Sequence, residues 1–411
     1  MADLSLEQLS EWIHNSPTPF HVVANATIEL ENHGFSEMKR YDSELPDCGY
    51  IRVDGSLIAW RIGTSQGSLR LVGAHTDSPN LRIQPNPDIA HSGWSQLGIE
   101  IYGGVLLNSW LDRDLGIAGR IVTSDGDVQL FNIAEPLARV PQLAIHLDRE
   151  ISDRGLLLDR YQHMNPIWGT QTPGFIEWLS ARTKSTDIAA FDAHLFDLYR
   201  PSLLGADSSL FCSARLDNQL SCWSAISALI HSNRSDHTQI VILNDHEEVG
   251  SDSVTGAGGT LLEEVLVLLS NKFQWSLGQS FDKRRSSWCL SADNAHAVHP
   301  NYTERHDPKH APRPNDGPAL KLNGNQRYAT SARGAAHIRS VAKRYNVPLQ
   351  TFVSKNNMPC GSTIGPITAT KLGIEAIDIG VPQLSMHSAR ELCGADDPMH
   401  LTQLMKIFLQ D

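Results

Sequence analysis

Ile240-Val-Ile-Leu-Asn-Asp-His-Glu-Glu-Val-Gly-Ser251 is the stretch on which the fold turns. Ile240, Val241 and Ile242 form a β-branched run with Leu243 behind it, the pattern of a strand buried on both faces. The run breaks at Asn244 into a polar turn that carries two adjacent carboxylates, Glu247 and Glu248, and then Gly250. Adjacent side chains leaving an extended strand point to opposite sides. One Glu can then hold a metal ion while the other faces the water that the ion activates. A charged loop capping a strand has the same composition, so the weight falls on whether the design recurs.

It recurs three times. Residues 69–72 read as a strand that empties into Gly73-Ala-His-Thr-Asp-Ser-Pro79, and residues 288–290 as a short strand ending in Ser291-Ala-Asp-Asn294. Residues 374–379 end at Gly380-Val-Pro-Gln-Leu-Ser-Met-His387. His75, Glu247-Glu248, Asp293 and His387 thus follow strand-like runs, and in open α/β sheets ligands bind beyond the carboxyl ends of strands. A fifth group, Asp217 in Ser213-Ala-Arg-Leu-Asp-Asn-Gln219, sits just before a helix, where an N-cap or first-turn acid is the ordinary alternative. Taken singly, His75 is a polar residue in a strand-end turn; five such groups together argue against coincidence.

His, Asp and Glu without Cys is the ligand set of a hydrolytic zinc, cobalt or manganese site rather than of a structural zinc. Two ions about 3.5–4 Å apart need one bridging carboxylate and two further protein ligands each. Asp217 is the best bridge, His75 with Asp293 one pair, and Glu248 with His387 the other. Glu247 is then free to take a proton from the activated water and pass it to a leaving amine. Asp77, two residues beyond His75, could accept the imidazole's other N–H and fix its tautomer.

Around these runs the chain alternates strand and helix. Leu6, Leu9 and Ile13 share a helical face, and Ser16-Pro-Thr-Pro19 ends that helix. A second helix is expected over 20–33 with Gly34 just beyond it, then a hairpin at Asp54-Gly55. Further helices are expected near 221–231, 261–269, 332–345, 364–372 and 398–409, with a strand near 349–353 and a charged loop over 301–318. The expected fold is α/β: a doubly wound, mixed, mostly parallel sheet forms the catalytic domain from residues 1–87 and 208–411. Residues 88–207, rich in hairpin signals such as Asp125-Gly126, read as an inserted β-rich domain with some helix near 175–182 and 191–198.

With 411 residues, 41% hydrophobic and 19% charged, the chain is a globular protein large enough for two cores. Its formal charge of −12 argues against nucleic acid as a partner. Any anionic substrate must therefore be attracted by a local cation. The first residues lack a basic and an apolar signal region, and no apolar run nears the roughly 20 residues that span a bilayer. Six scattered cysteines without a Cys-x-x-Cys pair complete the expectation of a cytoplasmic protein with reduced thiols.

Several of these motifs, together with others, resemble the aspartyl aminopeptidase family of dinuclear metallopeptidases. The resemblance rests on Gly73-Ala-His-Thr-Asp-Ser-Pro79, Leu216-Asp-Asn218, Asp245-His-Glu-Glu-Val-Gly-Ser251, Asp293-Asn-Ala-His-Ala-Val-His-Pro-Asn-Tyr302 and Met386-His-Ser-Ala-Arg-Glu391. It extends to Ala144-Ile-His-Leu147, Gln326-Arg-Tyr328 and Asn357-Met-Pro-Cys-Gly361, nearly the whole chain. It implies release of an N-terminal residue, preferably Asp or Glu, from peptides, with two divalent ions, zinc or else cobalt or manganese. It also implies that the inserted domain makes dimer contacts, with lid duty, in a homo-oligomer of commonly twelve subunits. Lys321, in Ala319-Leu-Lys-Leu322, matches a family lysine that faces the substrate carboxylate; the bland alternative is a solvated surface lysine. Tyr328 and His296 match pocket members, although spacing alone leaves His296 and His299 as loop histidines. His146 matches a histidine that reaches a neighbouring subunit's active site, and nothing in its own spacing separates it from a strand-end histidine. Two other functions stay open on the same residues: an aminopeptidase for neutral residues or a metallo-deacylase, and a non-catalytic shell-forming scaffold.

Overall fold

The β-branched run forms the strand Thr238–Asn244, with all seven residues buried. In the computed structural model, which describes residues 4–38 and 45–411, this strand pairs antiparallel with Ser56–Arg61 and parallel with Leu69–His75. Packing divides the chain into two compact units. The first contains the described residues up to Asp77, Pro201–Met386 and Glu391–Asp411; the second contains Ser78–Arg200 and His387–Arg390.

The main sheet of the first unit has nine strands in the order Ser36–Glu37, Cys48–Val53, Ser56–Arg61, Thr238–Asn244, Leu69–His75, Trp288–Ala292, Glu375–Gly380, Ala319–Leu322 and Gln350–Val353. The four strands from Thr238–Asn244 to Glu375–Gly380 run parallel, as strands joined through helical crossovers do. Alternation then splits each strand between two cores. Val241 and Leu243 join Val72, Ala74, Leu290 and Ile377 in one cluster with the helices Pro19–Asn32, Leu216–His231 and Asp397–Gln410. Ile240 and Ile242 join Leu69, Leu71 and Cys289 in another, with the helix Leu261–Phe273. Helices on both faces make the sheet doubly wound, and each fully buried aliphatic side chain is worth about 1.5–3 kcal/mol.

Local chemistry sets the element ends. Ser5 and Gln8 form a capping box that starts Leu6–Asn15. Pro19 opens the helix Pro19–Asn32, and Gly34, at φ 82, lies just past its end. The Asp54-Gly55 turn joins its two strands with Val53 opposite Ser56. Gly55 is required there by close approach, since a Cβ would lie 2.2 Å from Asp245 Oδ2. A helix over Leu277–Arg285 escapes the hydrophobic pattern because only Ser280 in it is buried. Its signal is the capping box of Ser276 and Gln279.

A five-stranded sheet completes the first unit, in the order Ser202–Leu204, Leu210–Ser213, Glu391–Gly394, Pro382–Leu384 and Ala295–His296. It sets Glu391 opposite Ser213 and Gln383 opposite His296.

The second unit is built on a six-stranded antiparallel sheet ordered Val128–Ala138, Leu115–Val122, Ala190–Asp197, Asn80–His91, Trp94–Tyr102 and Ile167–Gly169. The helix expected over 191–198 is instead the strand Ala190–Asp197, paired along its whole length with Leu115–Val122. Phe191, Ala193 and Leu195 face the unit's core at period two, which a helical reading overlooks. Pro85 and Pro87 sit within Asn80–His91 at the register shift between Ile83 and Asp88, where their missing N–H groups leave the ladder intact. The helix expected near 175–182 is Phe175–Thr183. Among the described residues no helix is long and apolar enough to cross a membrane.

Candidate metal centre

Parallel pairing decides which strand ends meet. Asn244 lies opposite His75, and Ser291 lies opposite Gly73, so Asp293 comes level with His75 two residues further on. The backbone there is closely packed: a Cβ on Gly380 would lie 1.8 Å from the Asp293 carbonyl oxygen. Glycine is the one residue that fits.

His75 is the hub. It is 1% exposed, and its Nδ1 lies 3.0 Å from the backbone oxygen of Asp77 and 3.3 Å from Asp77 Oδ1. Donation from Nδ1 to Asp77 places the imidazole lone pair on Nε2. Nε2 lies 3.3 Å from Asp217 Oδ1 and 3.7 Å from Asp293 Oδ1. The Asp77 carboxylate also accepts the amide N–H groups of Glu247 and Glu248, each at 3.1 Å. One buried acid therefore orients the histidine and fixes the turn that carries both glutamates.

That turn differs from the extended geometry expected for it. His246 takes a left-handed conformation at φ 61, and Glu247–Val249 is a single turn of 3-10 helix. The two glutamates diverge because successive residues of such a turn are roughly 120° apart, not because a pleat alternates them. Asp217 also differs from a simple cap. It falls inside the span Leu216–His231 with non-helical φ −84 and ψ 105, and the Asp217–Asn218 peptide is cis.

Within the first unit the side chains of His75, Asp217 and Asp293, and again those of His75, Glu247 and Glu248, offer ligand atoms within 4.8 Å of one another. Burial, and with it the like charges of Asp293, Glu248 and Asp217, pushes the Glu247 carboxyl up to about 8, although a charged His75 opposes this. Burial disfavours a charge on His75, but Asp217, Asp293 and Asp77 outweigh it and hold the imidazole well above its ordinary range. Both shifts express an excess of carboxylates in a dry place. The donor set of imidazole nitrogen and carboxylate oxygen suits zinc, cobalt or manganese, so the residues fit divalent ions.

Lys321 adjoins the cluster. It is 2% exposed, donates to Asp293 Oδ2 at 3.3 Å, and its Nζ lies 5.2 Å from the centre of the Tyr328 ring. It is no solvated surface lysine. Tyr328 is buried and packs edge-on against Phe352, as does the ring of His296, itself an exposed residue. Burial, followed by the Cys360 thiol, raises the Tyr328 pKa. His387 belongs to the second unit, where its Nδ1 lies 3.1 Å from the Gly104 carbonyl oxygen. His146, also in the second unit, stands in an exposed turn.

Other residues support the centre in ways that no motif states. Cys222 donates its thiol to the His75 carbonyl at 2.9 Å, and Asp378 accepts from Thr363 Oγ1 and Ala329 N at 2.6 Å each. Asn218 Nδ2 donates to Ala292 O at 2.8 Å, and Glu391 accepts the Asp217 amide at 2.9 Å. Most of their partners are backbone groups far away in sequence, so no local spacing announces them.

Comparison with known proteins agrees with the geometry. Residues 12–409 match the family model described as Aminopeptidase I zinc metalloprotease (M18). A probable M18 family aminopeptidase 2 of Streptomyces coelicolor is 45% identical over 98% of this chain and 97% of its own. The crystal structure of prApe1 superposes with a TM-score of 0.92 at 28% identity, over 98% of this chain and 93% of that one. A structure of the S. cerevisiae mApe1 dodecamer superposes with a TM-score of 0.84 at 26% identity, over 98% and 95%. With that match spanning almost its full length and both units, the chain belongs to the M18 family of zinc metallo-aminopeptidases.

Proposed function

We propose that this aminopeptidase releases N-terminal Asp and Glu from peptides, and that the buried Lys321 ammonium selects them. The observation that carries the reading is the place of Lys321, beside both Asp293 and Tyr328. An ammonium has three donors. Asp293 engages one, so others are available to the carboxylate of a substrate's first side chain. A charge-assisted hydrogen bond of about 1.5–3 kcal/mol corresponds to roughly ten- to a hundredfold preference over a neutral side chain.

On this reading His75, Asp293, Glu248 and His387 would hold two divalent ions, most simply zinc, with Asp217 as the ligand common to both. His387 is joined by a peptide bond to Met386, where the first unit's segment ends. Bound divalent ions would supply the Lewis acidity that polarises a peptide carbonyl and acidifies water. Glu247 takes the proton of the attacking water and hands it to the departing amine. Asp77 orients His75 and holds the Glu247 amide, so it keeps base and ligand in one frame. Tyr328 and His296 line the pocket for the first residue.

The dodecamer of the similar mApe1 extends the reading. The inserted region 88–207 serves as dimerisation and lid element, and His146 reaches a neighbouring subunit's site from a turn flanked by the exposed Ile145 and Leu147. The six unbridged cysteines suit a cytoplasmic enzyme. Rates on Asp-, Glu- and Leu-arylamides and on N-acyl amino acids test the specificity. Acidic arylamides are expected to lead by at least tenfold. Faster Leu turnover establishes a neutral-residue enzyme, and faster N-acyl turnover a deacylase. Light scattering of the purified protein checks for twelve subunits.

A further inference from the structure

We infer that Glu391 is a positioning residue that fixes Asp217 through its backbone; the inference rests on the reading of Asp217 as a metal ligand. The segment that carries Asp217 is tied to the segment that carries Asp293 by a chain of buried side chains. Glu391 Oε2 accepts the Asp217 N–H at 2.9 Å, and its Oε1 accepts from Gln383 Nε2 at 3.5 Å. Gln383 Oε1 in turn accepts from Asn294 Nδ2 at 3.2 Å, and the same Nδ2 donates to the Leu216 carbonyl at 2.8 Å. Asn218 closes the loop by donating to Ala292 O at 2.8 Å. Asn218, Asn294, Gln383 and Glu391 are each at most 2% exposed.

A further buried carboxylate beside this acidic centre is expensive unless it performs a task that an apolar residue cannot. The task is geometric. The residues flanking both acids are clamped, Leu216 and Asn218 around Asp217 and Ala292 and Asn294 around Asp293, and Glu391 secures the Asp217 amide itself. The five-stranded sheet that presents Gln383 and Glu391 thereby sets the separation of two proposed ligands. Glu391 touches no reacting atom. It acts by removing the freedom of Asp217 to retreat when an ion is absent.

The test is zinc affinity, read by competition with a chromophoric chelator on the full-length protein, alongside thermal unfolding of the metal-free form. Glu391→Leu keeps the volume and removes both acceptors, and is expected to raise the zinc dissociation constant by at least tenfold, the range for groups that support ligands. Glu391→Gln keeps an acceptor oxygen and is expected to stay within threefold of the parent. A Glu391→Leu protein whose zinc affinity stays within tenfold of the parent, whatever its unfolding temperature, overturns the inference. So does a Gln variant as weak as Leu. Should Glu391→Leu not fold, Asn294→Ala is read against the same tenfold limit. Asp217→Asn is the control: unchanged zinc affinity there refutes the ligand reading itself and leaves the clamp without a purpose.

Discussion

The two sheets carry polar groups in opposite ways. In the first unit Leu69–His75 and Thr238–Asn244 are buried on both faces, and their polar residues gather where the strands stop. In the second unit Asn80–His91 and Val128–Ala138 mix buried positions with exposed ones along their length, and the polar residues face outward. A strand buried on both faces has no room for a charge in its middle, so its charges collect at its ends. Parallel neighbours put those ends side by side, and a centre results. An antiparallel sheet puts successive strand ends on opposite edges, so its contribution is surface. The contrast appears in the histidines: His75 is enclosed by carboxylates, whereas His146 stands in an exposed turn.

That contrast can be broken by experiment. The largest effect is expected from Glu247→Gln, which should lower kcat by about 10²–10⁴ while the protein still retains two equivalents of metal by elemental analysis. Turnover at the parent rate would remove Glu247 from the chemistry. Phe175→Ala, in the core of the second unit, should cost about 3–5 kcal/mol in denaturant unfolding yet leave kcat per folded enzyme unchanged. A loss of kcat without a loss of stability would show that the second unit shapes the chemical step.

A pH effect isolates one structural histidine. His21 is buried, and burial followed by the Arg215 charge lowers its pKa to about 4. Between about 6.5 and about 4 the unfolded chain binds a proton at this position that the folded chain refuses, so stability falls as pH falls across that window. The contribution is at most about 3 kcal/mol, and His21→Gln should flatten that part of the stability curve. An unchanged slope assigns the acid limb to other groups. The smallest effect is that of Lys321→Ala, expected to lower kcat/KM on Asp and Glu substrates roughly ten- to a hundredfold while sparing Leu substrates. An equal loss on both would make Lys321 a partner of Asp293 alone.

The fold is legible in the chain where a feature is local. The run 240–243, the Asp54-Gly55 hairpin and the helix Ile364–Leu372 each declare themselves within a dozen residues. Ala190–Asp197 passes for a helix because Leu195, Phe196 and Leu198 crowd a short window and hide the period-two face of Phe191, Ala193 and Leu195. The candidate ligands stand out as polar residues at the ends of apolar runs, because a carboxylate beside a buried strand is costly unless a cation or a donor meets it. The roles of their supports do not stand out. Cys222, Asn218 and Glu391 act on backbone atoms 74 or more positions away, and Gln383 is brought into place by a sheet pairing.

The amino-acid sequence by itself determined which side chains have the chemistry of a hydrolytic centre and which strands end in them, because hydrophobic periodicity and residue type are properties of short windows. Only the tertiary structure decided that His75 and Asp293 stand level, that Asp77 serves His75 and both glutamate amides at once, and that Lys321 is buried against Asp293. Those are matters of strand register and packing, which arise from contacts among segments that the chain brings together only once it is folded.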